Sequence, residues 1–149
     1  MRYIEIKEEA SASTGAAAAN HFSFTKVLTK DLDKLAAFYT KVFGFRQVER
    51  LIANAGPGIG EIEEILLSMS GGIGGEPPLV LFKMLEKPAP KDTDTILGLM
   101  VSDFDSVLQR LQAAGGSVVS DSPEHPPSVA RCAFARDPEG RLLEIVQLP

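Results

Sequence analysis

The same pattern of hydrophobic and polar residues, a strand-like stretch followed by a helical one, occurs twice along the chain. Residues 24–45 and 96–117 each begin with a strand-like segment, pass through Asp-apolar-Asp into a segment of helical period, and reach an aligned glycine at Gly44 and Gly116. Aligning the two segments places Phe24 on Ile96. Three runs typical of strands follow each segment. The pattern therefore predicts an internal duplication of a β-α-β-β-β module.

Both predicted helices carry signals at their ends and apolar side chains on one face. We expect Asp33 and Asp105 to cap the first turns by accepting from free backbone N–H groups. Gly44 and the pair Gly115-Gly116 supply the left-handed residue that ends a helix. The apolar face should pack against a sheet. It consists of Leu35, Phe38, Tyr39, Val42 and Phe43 in the first helix, and of Val107, Leu108, Leu111 and Ala114 in the second.

Turn residues divide the remainder of each module into strands. The predicted strands are 45–51, 63–69 and 79–84 in the first module, and 117–120, 129–135 and 142–148 in the second. We expect an α+β fold with mixed, mainly antiparallel sheets, helices on one face and a central pocket on the other. Modules 21–85 and 94–149 would form a single domain joined by linker 86–93. Residues 1–20 would be a tail or extra strand with a flexible connector.

Charge and cysteine content narrow the class of protein. The net charge of −5 over 149 residues argues against a nucleic-acid partner, because phosphate binding requires a basic face. The single cysteine, Cys132, cannot form an intramolecular disulfide and is typical of a reducing compartment. No apolar run approaches the length of a membrane span, and the first residues lack the apolar segment of a signal peptide. We expect a cytoplasmic protein.

Glu144 raises the sharpest chemical question. The turn 137–140, Asp-Pro-Glu-Gly, leads into the apolar strand 142–148, and Glu144 lies in its middle. A carboxylate among apolar neighbours is costly unless it is paired, hydrogen-bonded or bound to a metal. The position is therefore a candidate functional site.

Three motifs together resemble the vicinal oxygen chelate superfamily. They are Phe-Tyr-x-x-Val-Phe-Gly-Phe at 38–45, Ala-Gly-Gly at 114–116, and Asp-Pro-Glu-Gly at 137–140 followed by Glu144. This superfamily includes glyoxalase I, extradiol dioxygenases, methylmalonyl-CoA epimerase and the bleomycin-resistance proteins. The resemblance covers about residues 21–149. It implies paired βαβββ modules that curl around a pocket, often completed by a homodimer.

The resemblance also implies where a metal would bind. Metal-dependent members take one ligand from the first and last strand of each module, and these positions correspond to Phe24, Ile96, Glu144 and the strand 79–82. Three of the four positions are apolar, and one carboxylate does not make a metal site. We therefore predict neither a metal nor another cofactor.

If Glu144 faces the pocket, as the resemblance implies, the alternation of the strands indicates its other walls. They are Phe24, Lys26 and Leu28 on the first strand, Val80 and Phe82 on the fourth, and Ile96 and Met100 on the fifth. Lys26 and Glu144 are the polar features of this apolar pocket, and they could pair with each other, while Lys26 could equally extend into solvent. The expected ligand is an apolar or aromatic compound with a polar or anionic group.

Other polar residues leave alternatives open. Either Arg131 or Cys132 points inward, and Arg131 would favour an anion, whereas an inert buried thiol is the ordinary expectation for Cys132. The acidic run 61–64 is typical of a solvated strand edge, although one of its carboxylates could reach the pocket rim. His125 belongs to a Pro-rich loop, where a solvated histidine is the expectation.

Three functions are compatible with these residues. The first is a metal-independent small-molecule-binding protein that sequesters its ligand, or a lyase or isomerase with Glu144 as general base. The second is a metal-dependent lyase or dioxygenase with ligands such as His21, His125 or Glu64 across a dimer interface. The third is a regulatory or scaffold module whose pocket is filled by its own side chains. Those side chains would be Phe24, Phe82, Ile96 and Met100.

Overall fold

The fold consists of two helices and eight strands in the part of the chain that the structure, a computed structural model, describes: residues 22–71, 78–91, 94–121 and 130–149. In chain order these are β1 Thr25–Leu28, α1 Leu32–Phe43, β2 Arg46–Asn54, β3 Glu61–Ser68, β4 Leu79–Met84, β5 Leu97–Met100, α2 Phe104–Ala113, β6 Ser117–Asp121, β7 Arg131–Arg136 and β8 Leu142–Gln147. Neither helix among these residues is long and apolar enough to cross a membrane.

The strands form two sheets of four, one in each module. The order is β1-β4-β3-β2 in the first sheet and β5-β8-β7-β6 in the second. The pairs β1–β4 and β5–β8 are parallel, and the other neighbours are antiparallel. The predicted α+β fold of two βαβββ modules with mixed, mainly antiparallel sheets is therefore confirmed.

The N-terminal caps of the helices differ from the prediction. Asp31 and Asp103, not Asp33 and Asp105, accept hydrogen bonds from the backbone N–H three residues on, at 3.0 and 3.2 Å. The intervening apolar residue explains the difference, because it is the first helical residue and packs into the core. Asp33 and Asp105 lie in the first turn, where the helix dipole favours a carboxylate. The predicted glycine ends are confirmed by left-handed φ values of 81° at Gly44 and 94° at Gly115.

One hydrophobic core spans both modules. Its largest fully buried side chains come from both helices and from the sheet faces that they cover. They include Leu35, Phe38, Tyr39, Val42, Ile65, Leu67, Leu81, Leu111, Leu143 and Ile145. Because the helices cover one face of each sheet, the polar residues of the opposite faces remain available for chemistry.

A buried ion pair connects the second module to the first. The Arg141 guanidinium donates at 2.8 Å to Asp137 Oδ2, and the same oxygen accepts from the Tyr39 hydroxyl at 2.8 Å. Arg141 also donates through Nη2 to the Leu28 carbonyl of β1 at 2.6 Å. Burial and the Asp137 charge raise the pKa of Tyr39 well above its ordinary value, so its hydroxyl stays a donor. The turn before β8 thereby holds β8 in a fixed position relative to α1 and β1.

Candidate functional site

Each sheet has a face that no helix covers, and we call it the open face. Residues paired across strands point to the same face, and alternate residues of one strand share it. The open face of the first sheet carries Phe24, Lys26, Leu28, Glu64, Val80 and Phe82. The open face of the second sheet carries Ile96, Gly98, Met100, Cys132, Phe134, Glu144 and Val146.

The strand registers relate the two open faces residue by residue. Lys26 pairs with Val80 in the first sheet, as Gly98 pairs with Glu144 in the second. Val80 is therefore the counterpart of Glu144 in the first module. By the same argument Glu64, which pairs with Phe82, corresponds to Cys132, which pairs with Val146.

A metal bound in the way the resemblance implies would require donors at Phe24, Val80, Ile96 and Glu144. Three of these side chains are apolar, so the residues do not fit that site. Within residues 22–71, 78–91, 94–121 and 130–149, no group of three or more His, Cys, Asp and Glu side chains could hold a metal ion. The alternative ligands His21 and His125 lie outside the described residues.

Glu144 and Cys132 form a pair on the open face of the second sheet. The Cys132 thiol donates to Glu144 Oε1 over 3.4 Å, and both residues are half-buried. Burial raises the pKa of the Cys132 thiol, and the hydrogen bond and charge of Glu144 raise it further. The thiol is therefore protonated at neutral pH and donates to the carboxylate.

Replacing Glu144 with glutamine should make Cys132 more reactive. The change removes the carboxylate that helps to raise the thiol pKa, so more thiolate forms at about pH 8, and thiolate is the reactive species. We expect iodoacetamide to alkylate the variant several-fold faster, measured by intact mass as a single adduct, because the chain has one cysteine. Glu63→Gln, a change on the opposite face of the first sheet, is the control and should leave the rate unchanged. Equal rates for Glu144→Gln and the unmodified chain would contradict the observed contact.

Arg131, a candidate ligand-binding residue if it pointed inward, lies instead on the helix-covered face of the second sheet. Its guanidinium stacks on the Phe104 ring at 4.1 Å and pairs with Asp105 at 2.8 Å and Asp121 at 3.3 Å. Because neighbouring strand residues point to opposite faces, this orientation turns Cys132 to the open face. The sequence alone left the choice between the two residues open.

Lys26 pairs with Glu64 and not with Glu144. Its Nζ lies 2.5 Å from Glu64 Oε2, and the ammonium lies 5.5 Å from the Phe24 ring centroid and 4.9 Å from that of Phe82. Glu64 is only 7% exposed, although the sequence suggested a solvated edge. The reason is topological, because β3 lies between β2 and β4 in the sheet. The apolar residues around Glu64 in β3 were the available signal of a buried strand.

The open faces are not filled by their own apolar side chains. Phe24, Ile96 and Met100 are 51%, 53% and 62% exposed, whereas Val80 is buried. A cavity of about 160 Å³ borders Lys26 and Leu28 beside the linker residue Pro90. These exposures argue against the scaffold hypothesis, which requires the same side chains to pack the pocket solid.

Comparison with known proteins agrees with this architecture. The family model Glyoxalase/Bleomycin resistance protein/Dioxygenase superfamily matches residues 18–145. The chain belongs to this superfamily. A search of curated protein sequences gave no match.

Solved structures of several other proteins share the fold of this glyoxalase-like chain. A glyoxalase family protein from Bacillus cereus is 21% identical with a TM-score of 0.70, covering 90% of this chain and 100% of that one. TioX from Micromonospora sp. ML1 is 26% identical with a TM-score of 0.58, covering 87% and 100%. The fosfomycin resistance protein FosX from Listeria monocytogenes, solved as a mutant with Mn(II) and dihydroxypropylphosphonic acid, is 16% identical with a TM-score of 0.58, covering 84% and 87%.

Proposed function

We propose that this superfamily member binds a small organic molecule at its open faces without a metal ion. The observation that supports the proposal is the apolar nature of Phe24, Val80 and Ile96 at three of the four ligand positions. FosX was solved with Mn(II), but at 16% identity its likeness to this chain concerns the fold. The missing donors are what distinguish this chain from a metal-dependent member.

The proposed ligand is apolar or aromatic and bears a polar or anionic group. Ligand sites usually combine apolar walls with a few placed polar groups, and the open faces have this composition. The polar groups are the pairs Lys26–Glu64 and Cys132–Glu144. The apolar walls are Phe24, Leu28, Val80, Phe82, Ile96 and Met100.

Glu144 is the proposed general base if the protein turns its ligand over. Among the described residues its hydrogen bond comes from Cys132, and a thiol is a weak donor that leaves most of the carboxylate free. Such a carboxylate can remove a proton next to a carbonyl, which would make the protein a lyase or isomerase. Without turnover, the same site would sequester the ligand.

The proposal includes a homodimer in the cytoplasm. Phe24, Ile96 and Met100 are more than half exposed, and a second copy of the chain that closes the pocket would cover them. The single cysteine favours the reducing compartment. Sedimentation velocity measures the subunit number directly.

A thermal-shift screen of aromatic acids and carbonyl compounds, run with and without excess EDTA, tests the metal-independent function. A ligand at about 100 times its Kd adds about 2.7 kcal/mol of stability, or roughly 5–10 °C in Tm for a chain of this size. We expect the same shift in both conditions, because the site lacks the donors that would hold a metal and ligand binding therefore needs none. A shift that EDTA abolishes and Mn(II) or Zn(II) restores would contradict the proposal.

A further inference from the structure

Lys26 is held in one position on the open face of the first sheet. Glu64 lies beneath its ammonium at 2.5 Å, and Glu64 is far less exposed than Lys26, with 10% against 38% of the side chain accessible. The rings of Phe24 and Phe82 flank the ammonium at 5.5 and 4.9 Å. A lysine on an open sheet face ordinarily keeps its rotamer freedom, so this one has already lost much of the entropy that binding would cost.

The Lys26 ammonium retains donors for a ligand. An ammonium has three N–H donors, and the contact with Glu64 Oε2 uses one of them. Lys26 also borders a cavity of about 160 Å³ beside Leu28, but Asp94 lines that cavity too, and its carboxylate disfavours an anion there. Because Glu64 is the more buried partner, the remaining donors of the ammonium point away from it, toward the open face beside Phe24. The acceptor that fits there is an oxygen of the ligand, and a carboxylate oxygen makes the stronger, charge-assisted hydrogen bond.

The rings beside Lys26 indicate the body of the ligand. Phe24 is 51% exposed next to the ammonium, so an apolar ring can cover it while the acid group of the same molecule reaches Lys26. The second module lacks an equivalent cation, because Gly98 occupies the position of Lys26. The polarity of the site is therefore asymmetric, with the cation on one sheet and the Cys132–Glu144 pair on the other.

We infer that Lys26, positioned by Glu64, anchors the carboxylate of an aromatic acid whose ring packs on Phe24. The inference rests on the proposed small-molecule function and names the class of its ligand. It assigns a binding role to Lys26 and a positioning role to Glu64. Glu144 remains free to act on a different part of the same ligand.

Two matched probes test this inference: 2-naphthoate, which carries the acid, and 2-naphthalenemethanol, which has the same ring without the charge. The chain has no tryptophan, so naphthalene fluorescence excited beyond the absorption of its two tyrosines reports binding without interference. We expect the unmodified protein to bind naphthoate at least tenfold more tightly than the alcohol. This preference should weaken with added salt, because screening reduces the attraction between the charges.

The double variant Lys26→Met/Glu64→Gln should lose the preference for the acid while still binding the alcohol. It leaves the net charge unchanged. It also leaves no buried carboxylate without a partner, so it should fold, whereas Lys26→Met alone would leave Glu64 unpaired and destabilise the protein. The control is Lys83→Met/Glu63→Gln, which changes two cross-strand neighbours on the other face of the same sheet and also leaves the net charge unchanged. Glu63 accepts from Arg50, and Arg50 keeps Asp33 as its other partner in this variant. The control should keep the full preference.

Three results would overturn the inference, and none is decided by the EDTA screen. A double variant that kept the full preference for the acid would show that another group holds the carboxylate. Equal binding of acid and alcohol by the unmodified protein would show that Lys26 is not an anchor, while the small-molecule function would stand. No binding of either probe would exclude an aromatic acid of this size as the ligand class. A failure of the proposed function would instead appear as a screen in which EDTA abolishes every shift.

Discussion

Replacing Asp137 with alanine should lower the free energy of unfolding by about 3–5 kcal/mol, the usual cost of breaking a buried ion pair. Arg141 is 3% exposed, so the substitution leaves its guanidinium buried without the carboxylate that accepts at 2.8 Å. The backbone N–H groups of Glu139 and Arg141, which donate to Asp137 Oδ1, also lose their acceptor. Equilibrium denaturation in urea, followed by far-ultraviolet circular dichroism, measures the loss.

Tyr39→Phe is the matched control for this prediction. It removes one of the hydrogen bonds to Asp137 without leaving a charge unpaired, so it should cost only about 0.5–1.5 kcal/mol. An Asp137→Ala variant within about 1 kcal/mol of the unmodified protein would contradict the role of the pair in joining the modules.

Glu144→Gln should slow proton transfer on a bound carbonyl ligand by about 10²–10⁴-fold, the usual contribution of a positioned general base. The amide keeps the shape of the side chain but cannot accept the proton, so Kd should change little. The measurement is the exchange of the ligand's α-proton for deuterium in D₂O, followed by NMR with a ligand from the screen. If the unmodified protein bound the ligand without exchanging its proton, the result would indicate that the protein sequesters the ligand and does not turn it over.

Cys132→Ala tests whether Glu144 can act as the base without the neighbouring thiol. It removes the thiol that donates to Glu144 and leaves the carboxylate in place. We expect this variant to retain most of the exchange activity. If Glu144→Gln and the unmodified protein exchanged at the same rate, Glu144 would not be the base.

The duplication explains why the fold could be predicted from the sequence. Two segments with the same order of strand, helix and glycine imply two similar modules, and the alignment of Phe24 with Ile96 relates them position by position. The helix starts were wrong by two residues because Asp-apolar-Asp offers two caps. Core packing of the residue between them decides which aspartate acts as the cap.

The polar partners on the open faces could not be predicted, because they depend on strand order. Lys26 and Glu64 are distant in sequence and meet only because β4, which carries Phe82, lies between their strands. Likewise, the direction of Arg131 depends on the contacts of its guanidinium with α2 and β6. Alternation along a strand fixes which residues share a face, but not which of the two faces is covered by a helix.

The metal content of the purified protein tests the central claim most directly. The protein would be prepared without an affinity tag or chelator and analysed by elemental mass spectrometry, before and after incubation with Zn, Mn, Ni and Fe(II). Because Phe24, Val80 and Ile96 offer no donors, we expect far less than one metal ion per chain in every sample. A stoichiometry near one per chain, or one per dimer, would contradict the metal-independent site.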